Sequence, residues 1–124
     1  MSSIMKINTY EAWVRLGCLP DEQAYVQPVH FDVEIVFNQP VAAEQTDQIN
    51  DAVDYVRLTE IIHQTATAKP YHLVEHMCSQ VMNKLIVYLF DKRIKGHIKV
   101  SLTKLRVPVA HLQAGVTWTC QKDI

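Results

Sequence analysis

Nine apolar residues, Leu73, Val74, Met77, Cys78, Val81, Met82, Leu85, Ile86 and Leu89, recur at helical spacing. They commit the middle of the chain to a long helix with one face laid on a core. The helix opens on Tyr71-His72-Leu73-Val74-Glu75-His76. Glu75 stands at the edge of the stripe, in the first turn, where backbone N–H groups lack partners and the helix dipole favours a carboxylate. Such a glutamate either does no more than suit the dipole, or accepts donors from a flat, amide-like ligand while nearby N–H groups meet that ligand's acceptors. Both readings stand at this point. The same six residues spell H-x-x-E-H, the inverted zinc-protease pattern. That pattern needs a further ligand, and after Glu75 the only acids are Asp91 and Asp123. We therefore expect no metal.

Around this helix the period changes to two. Val29, Phe31, Val33, Ile35 and Phe37 alternate with His30, Asp32 and Glu34, which predicts a half-buried strand; Ile98, Val100 and Leu102 alternate with Lys99, Ser101 and Thr103 for another. Ile4 to Gly17 reads as a first strand and Val116 to Cys120 as a closing one. Gly17 to Gln23 is a turn-rich loop, Gln39 to Asn50 an irregular connection, and Val56 to Ala68 a shorter helix stopped before Pro70. The predicted order is β-β-α-α-β-β: one α+β domain over residues 1–124, an antiparallel four-stranded sheet with two helices on one face.

The totals remove several function classes. A chain of 124 residues with a hydrophobic fraction of 48% buries a core but is small for a self-contained enzyme. Its net charge of -1 disfavours a nucleic-acid surface, and Lys92-Arg93-Ile94-Lys95 reads as a solvated turn. Cys18, Cys78 and Cys120 are odd in number and far apart in sequence, which predicts reduced thiols and a cytoplasmic setting. The longest apolar run, Leu85 to Phe90, is too short to span a bilayer, so no membrane is expected.

Four residues at element ends carry possible chemistry. Lys104 shares the parity of Ile98, Val100 and Leu102, so it points to the buried face where the strand ends. Desolvation there favours a neutral amine suited to proton transfer, unless the stem packs and the ammonium reaches water. Glu22 lies in the first loop, Tyr55 just ahead of the first helix, and Glu75 at the start of the second. Two carboxylates, a tyrosine and a lysine make an acid/base set without nucleophile, metal or phosphate loop.

At these residues the chain resembles the dihydroneopterin aldolase family of folate biosynthesis over nearly its whole length. The matching pieces are Gly17-Cys18-Leu19-Pro20-Asp21-Glu22 with Gln27 and Val29–Ile35, then Thr46-Asp47 with Asp51-Ala52-Val53-Asp54-Tyr55. Leu73-Val74-Glu75-His76 and Thr103-Lys104 with Gly115-Val116 complete them, in the same order. The resemblance implies the tunnelling fold, whose subunits join their sheets into a ring, and a homo-oligomer (a tetramer ring or an octamer of two rings) with active sites between subunits. It implies that Glu75 holds a pterin's amino-pyrimidine edge, with Leu73 and Val74 offering backbone contacts and Cys18, Leu19 and His72 beside them. It also implies that Tyr55 and Val53 come from the neighbouring subunit, that Lys104 with Glu22 manages protons, and that no cofactor is needed. The chain departs from the family at Trp13-Val14-Arg15-Leu16, at His72 and at Leu105 after the lysine. Lys104-Leu105 and Ile49-Asn50-Asp51-Ala52 are similar instead to the sister enzyme, dihydroneopterin triphosphate epimerase. A non-catalytic pterin-binding subunit is the remaining alternative.

Overall fold

A computed structural model describes residues 1–124. In chain order the elements are β1 (Ser3–Val14), α1 (Pro20–Ala24), β2 (Gln27–Phe37), α2 (Ala43–Thr46), a 3-10 turn (Ile49–Asp51), α3 (Tyr55–Thr67), α4 (Val74–Asp91), β3 (Gly96–Lys104) and β4 (Val116–Asp123). The strands form one antiparallel sheet in the order β1-β2-β3-β4. The helices α3 and α4 pack on each other, α3 against β1 and α4 against β3 and β4. This is the predicted β-β-α-α-β-β sandwich of sheet and helices.

The alternating residues of β2 and β3 do what their period demands. Phe31, Val33 and Ile35 face Leu102, Val100 and Ile98 across the register, and these six are closed off from solvent together with Val29. From the helices, Leu58, Ile62, Met77, Cys78, Val81, Leu85 and Leu89 complete the core. Each fully buried aliphatic side chain contributes roughly 1.5–3 kcal/mol relative to an exposed one. Asp54 caps α3 by accepting the Val56 N–H at 3.0 Å. In α4 the cap position is Leu73, extended and without a side-chain cap, so the first turn keeps its N–H groups open.

Several segments differ from the sequence-based expectation. The loop Gly17 to Gln23 contains the start of α1, begun by Pro20 in the first helical position. The connection 39–50 holds α2 and the start of the 3-10 turn, both too short to display a period. The second strand starts at Gln27 rather than Val29, and the closing strand continues to Asp123. In β1 the register shifts between Ile7 and Tyr10, where Thr9 takes φ 60°. Asp32 braces this bulge by accepting the Thr9 N–H at 2.8 Å and its hydroxyl at 3.2 Å. The bulge switches the core-facing parity from Met5 and Ile7 to Ala12 and Val14, so β1 shows no continuous alternation. No helix is long and apolar enough to cross a membrane.

Candidate active site

Lys104 ends β3 on the helix-facing side, opposite Val29 of β2 and Val116 of β4. Its side chain is only 10% exposed, as the strand parity requires. The ammonium does not stand alone: it donates to Oε2 of Glu22 in a part-buried ion pair with a carboxylate 82 residues earlier. Strand parity alone offers a neutral amine or a snorkelling lysine; the partner the fold supplies is Glu22, the residue the family resemblance sets beside it. Glu22 sits in the first turn of α1 and also accepts the Leu19 N–H at 3.3 Å. The hydrogen bond from Lys104 holds its carboxyl below the usual glutamate range, against the opposing effect of burial. Gly17 makes room for this side chain: at φ 143° a Cβ there would overlap Glu22.

The Glu22 segment is bonded to the strand-like residues before α4. Gly17 N–H donates to Tyr71 O and Tyr71 N–H to Arg15 O, both at 3.0 Å. The Cys18 thiol meets His72 O at 3.6 Å. Tyr71 is buried, which pushes its phenol up, and its hydroxyl donates to Thr65 O at 3.0 Å. Lys104, Glu22, Cys18, Leu19, His72, Leu73, Val74 and Glu75 therefore gather at one end of the molecule. Leu19 and Leu73 are each 49% exposed there, apolar surface beside the exposed Glu75. His76 turns to the Tyr71 ring, 5.7 Å between centroids, and its Nε2 lies 3.5 Å from Lys69 Nζ. No three His, Cys, Asp or Glu side chains converge as a metal would require.

Val53 and Tyr55 lie elsewhere. Asp54, between them, donates its N–H to the Tyr88 hydroxyl at 3.0 Å, near the far end of α4. Glu75 and Tyr88 are about 20 Å apart along that helix. Val53 is buried, while Tyr55 is 64% exposed. Within one chain the expected site is thus split between opposite ends of the helix layer.

Cleft size does not locate the site. A groove of about 610 Å³ between α3 and α4, lined by Arg57, Gln64, Lys84 and Tyr88, holds none of the expected residues. A cleft of about 560 Å³ lies beside Glu22, with Gln27, Leu105, Arg106 and Leu112 in its wall. Gln27 is 6% exposed; its amide N–H donates to Leu16 O at 2.7 Å, and its Oε1 is the buried side-chain oxygen or nitrogen left without a partner. Sequence reading assigned it no site role, because burial of a glutamine at a strand start leaves no periodic signature.

Comparison with known proteins decides the lineage. Residues 5–120 match the family model described as FolB, dihydroneopterin aldolase. The chain belongs to the dihydroneopterin aldolase family. A relative from Chlamydia pneumoniae, named a probable dihydroneopterin aldolase, is 31% identical over 118 residues, covering 95% of this chain and 87% of its own length. A relative of the same name from Chlamydia muridarum is 28% identical over 97% of both chains. Among solved structures, the E. coli dihydroneopterin aldolase in complex with neopterin superposes with a TM-score of 0.79 at 21% identity, covering 97% of this chain and 98% of that one. The dihydroneopterin aldolase of Burkholderia thailendensis bound to guanine gives 0.78 at 17%, covering 99% and 92%. The architecture is accordingly that of the dihydroneopterin aldolase family, the tunnelling fold.

Proposed function

We propose that this chain is a lyase that cleaves dihydroneopterin to hydroxymethyl-dihydropterin and glycolaldehyde by a retro-aldol reaction. The observation that carries the reading is the buried Lys104–Glu22 pair, held beside the open first turn of the helix that bears Glu75. In this reading Glu75 accepts from the amino-pyrimidine edge of the pterin, Leu73 and Val74 supply main-chain contacts, and Cys18, Leu19 and His72 border the ring. The reaction removes a proton from the side-chain hydroxyl, breaks the adjacent C–C bond and places its electrons in the ring C=N bond. Lys104, directly or through water, gives that nitrogen its proton while Glu22 holds the ammonium, and takes it back as the resulting enamine is protonated at carbon, which gains in balance the proton lost by the hydroxyl. Because the substrate carries its own electron sink, proton donors and acceptors suffice and no cofactor enters the scheme.

Tyr55 of the neighbouring subunit covers the ring and approaches the reacting hydroxyl, with Val53 lining the same wall. The separation of Tyr55 from Glu75 supports a site completed between subunits. So do the open edges of β1 and β4, whose unpaired backbone groups invite a further strand. A homo-oligomeric ring, single or stacked, would satisfy both. A second reading, triphosphate epimerase, is favoured by Leu105 and Arg106 lining the cleft beside Glu22, where a cation suits a phosphorylated side chain. Epimerisation needs the same cleavage followed by readdition on the other face.

Product analysis tests the reading. The protein, kept in chelator, is incubated separately with dihydroneopterin and with its triphosphate. Hydroxymethyl-dihydropterin and glycolaldehyde from the first are the expected result. Epimerised triphosphate with little cleavage moves the assignment to the sister activity. Neither product from a folded oligomer leaves a pterin-binding subunit.

A further inference from the structure

The five-residue helix α1 carries Glu22 yet buries none of its own residues. A helix so short has no stability of its own, so its place must come from outside contacts. Beyond the Glu22 contacts already described, those contacts converge on the next residue. The Gln23 amide nitrogen donates to Gly17 O at 2.6 Å and to Tyr71 O at 2.8 Å. Arg15 closes the arrangement from the other side, its Nη1 donating to Gln23 O at 2.8 Å. Tyr71 O therefore accepts from both Gly17 N–H and the Gln23 amide, using both its lone pairs. Two residues beyond Tyr71 begins the N-terminal boundary of α4, whose body is anchored in the core by Met77, Cys78 and Val81.

We propose that Gln23 is a positioning residue for the reaction: its side-chain amide ties the unpacked helix that bears Glu22 to the core-anchored segment that leads into the Glu75 helix. The proton-handling pair and the ligand-holding helix end are thereby kept at one distance. This inference rests on the function proposed above for Lys104, Glu22 and Glu75. Gln23 touches neither substrate nor Lys104; it acts through Glu22. A glutamine that served only to satisfy two carbonyls would influence melting temperature and nothing more. One that positions Glu22 must also influence the proton step, because misplacement of a catalytic group by a fraction of an ångström is felt in turnover. Since α4 is anchored independently, ligand affinity should stay where it is.

The test uses Gln23→Met, which keeps the length and neutrality of the side chain but removes both donors. We expect kcat with dihydroneopterin to fall roughly tenfold or more, with KM and neopterin affinity unchanged. The Glu22 carboxyl, followed by side-chain carbon NMR, should titrate higher than in the wild type as its contact with Lys104 loosens. In a Glu22→Gln background the same substitution should cost no further turnover, because the group it positions is gone. An equal loss of kcat in both backgrounds, or an unmoved Glu22 titration, overturns the proposal. Gln23→Asn, whose shorter amide reaches one carbonyl at most, serves if the Met variant fails to fold, and should fall between the two on both readouts. If the wild type turns over neither pterin, the functional reading fails. The Glu22 titration still decides Gln23, because it needs no substrate.

Discussion

Near the start of α4, Lys104 is paired with Glu22, and the adjoining Gln23 is hydrogen-bonded with Gly17 and Tyr71, all within a single chain. At the other end of the same helix layer, Tyr55 projects 64% exposed beside a well-made cap on Asp54. The first end spends buried polar groups, a costly arrangement unless they are paired. The second spends almost nothing: an exposed tyrosine held by a helix start. Under the proposed function, the contrast is that of a proton-handling half-site at one end of the chain and, at the other, a half offered to a neighbour. A short chain can in this way enclose a pocket it is too small to enclose alone.

The sharpest way to break this comparison is to inactivate the two ends separately and mix them. Lys104→Ala and Tyr55→Phe, each assembled alone, should lose turnover by about 10²–10⁴-fold. Oligomers assembled from equal amounts of both should regain about a quarter of wild-type activity, since one interface in four receives both intact residues. No recovery on mixing would mean that both residues serve a site within one chain. Melting curves belong beside the assays, because Lys104→Ala leaves the Glu22 carboxylate buried without its cation.

Glu75→Ala sharpens the comparison from the ligand side. Removing a charged acceptor from the pterin edge should weaken neopterin binding roughly 10- to 100-fold, read by calorimetric titration, while the Glu22 carboxyl stays below the usual glutamate range. Unchanged affinity would return Glu75 to the role of a dipole-matched helix starter.

The smallest expected effect is acid sensitivity. Because Glu22 is held below its ordinary range by Lys104, its contribution to stability is fully present above the unfolded-state value and is lost as pH falls through the folded-state one. The wild type should therefore melt above Glu22→Gln near neutrality, and the gap should close as pH falls below the ordinary glutamate range. A gap that widened on acidification would contradict the ion pair.

How much of this was legible beforehand varies by residue. The buried face of Lys104 is legible because β3 alternates without interruption. β1 gave no such signal, since the bulge at Thr9 reverses its parity halfway. Glu22 and Tyr55 looked like ordinary loop residues; only their place in the family pattern singled them out, and the fold then separated them. Gln23 and Gln27 carried no periodic or compositional mark, because a side-chain amide in a loop reads as a solvated polar group until something is seen to bury it.

Periodicity alone determined the order of elements, the faces of β2 and β3 and the stripe of α4, since those follow from 2.0 and 3.6 residues per repeat acting locally. Only the tertiary structure decided that the lysine ending β3 meets a carboxylate 82 residues upstream, that a glutamine amide reaches a carbonyl 48 residues away, and that Tyr55 stands at the far end from Glu75. These pairings depend on how the sheet and the two antiparallel helices close on one another. No local spacing encodes that closure, because each contact is made between segments that are strangers until the core has formed.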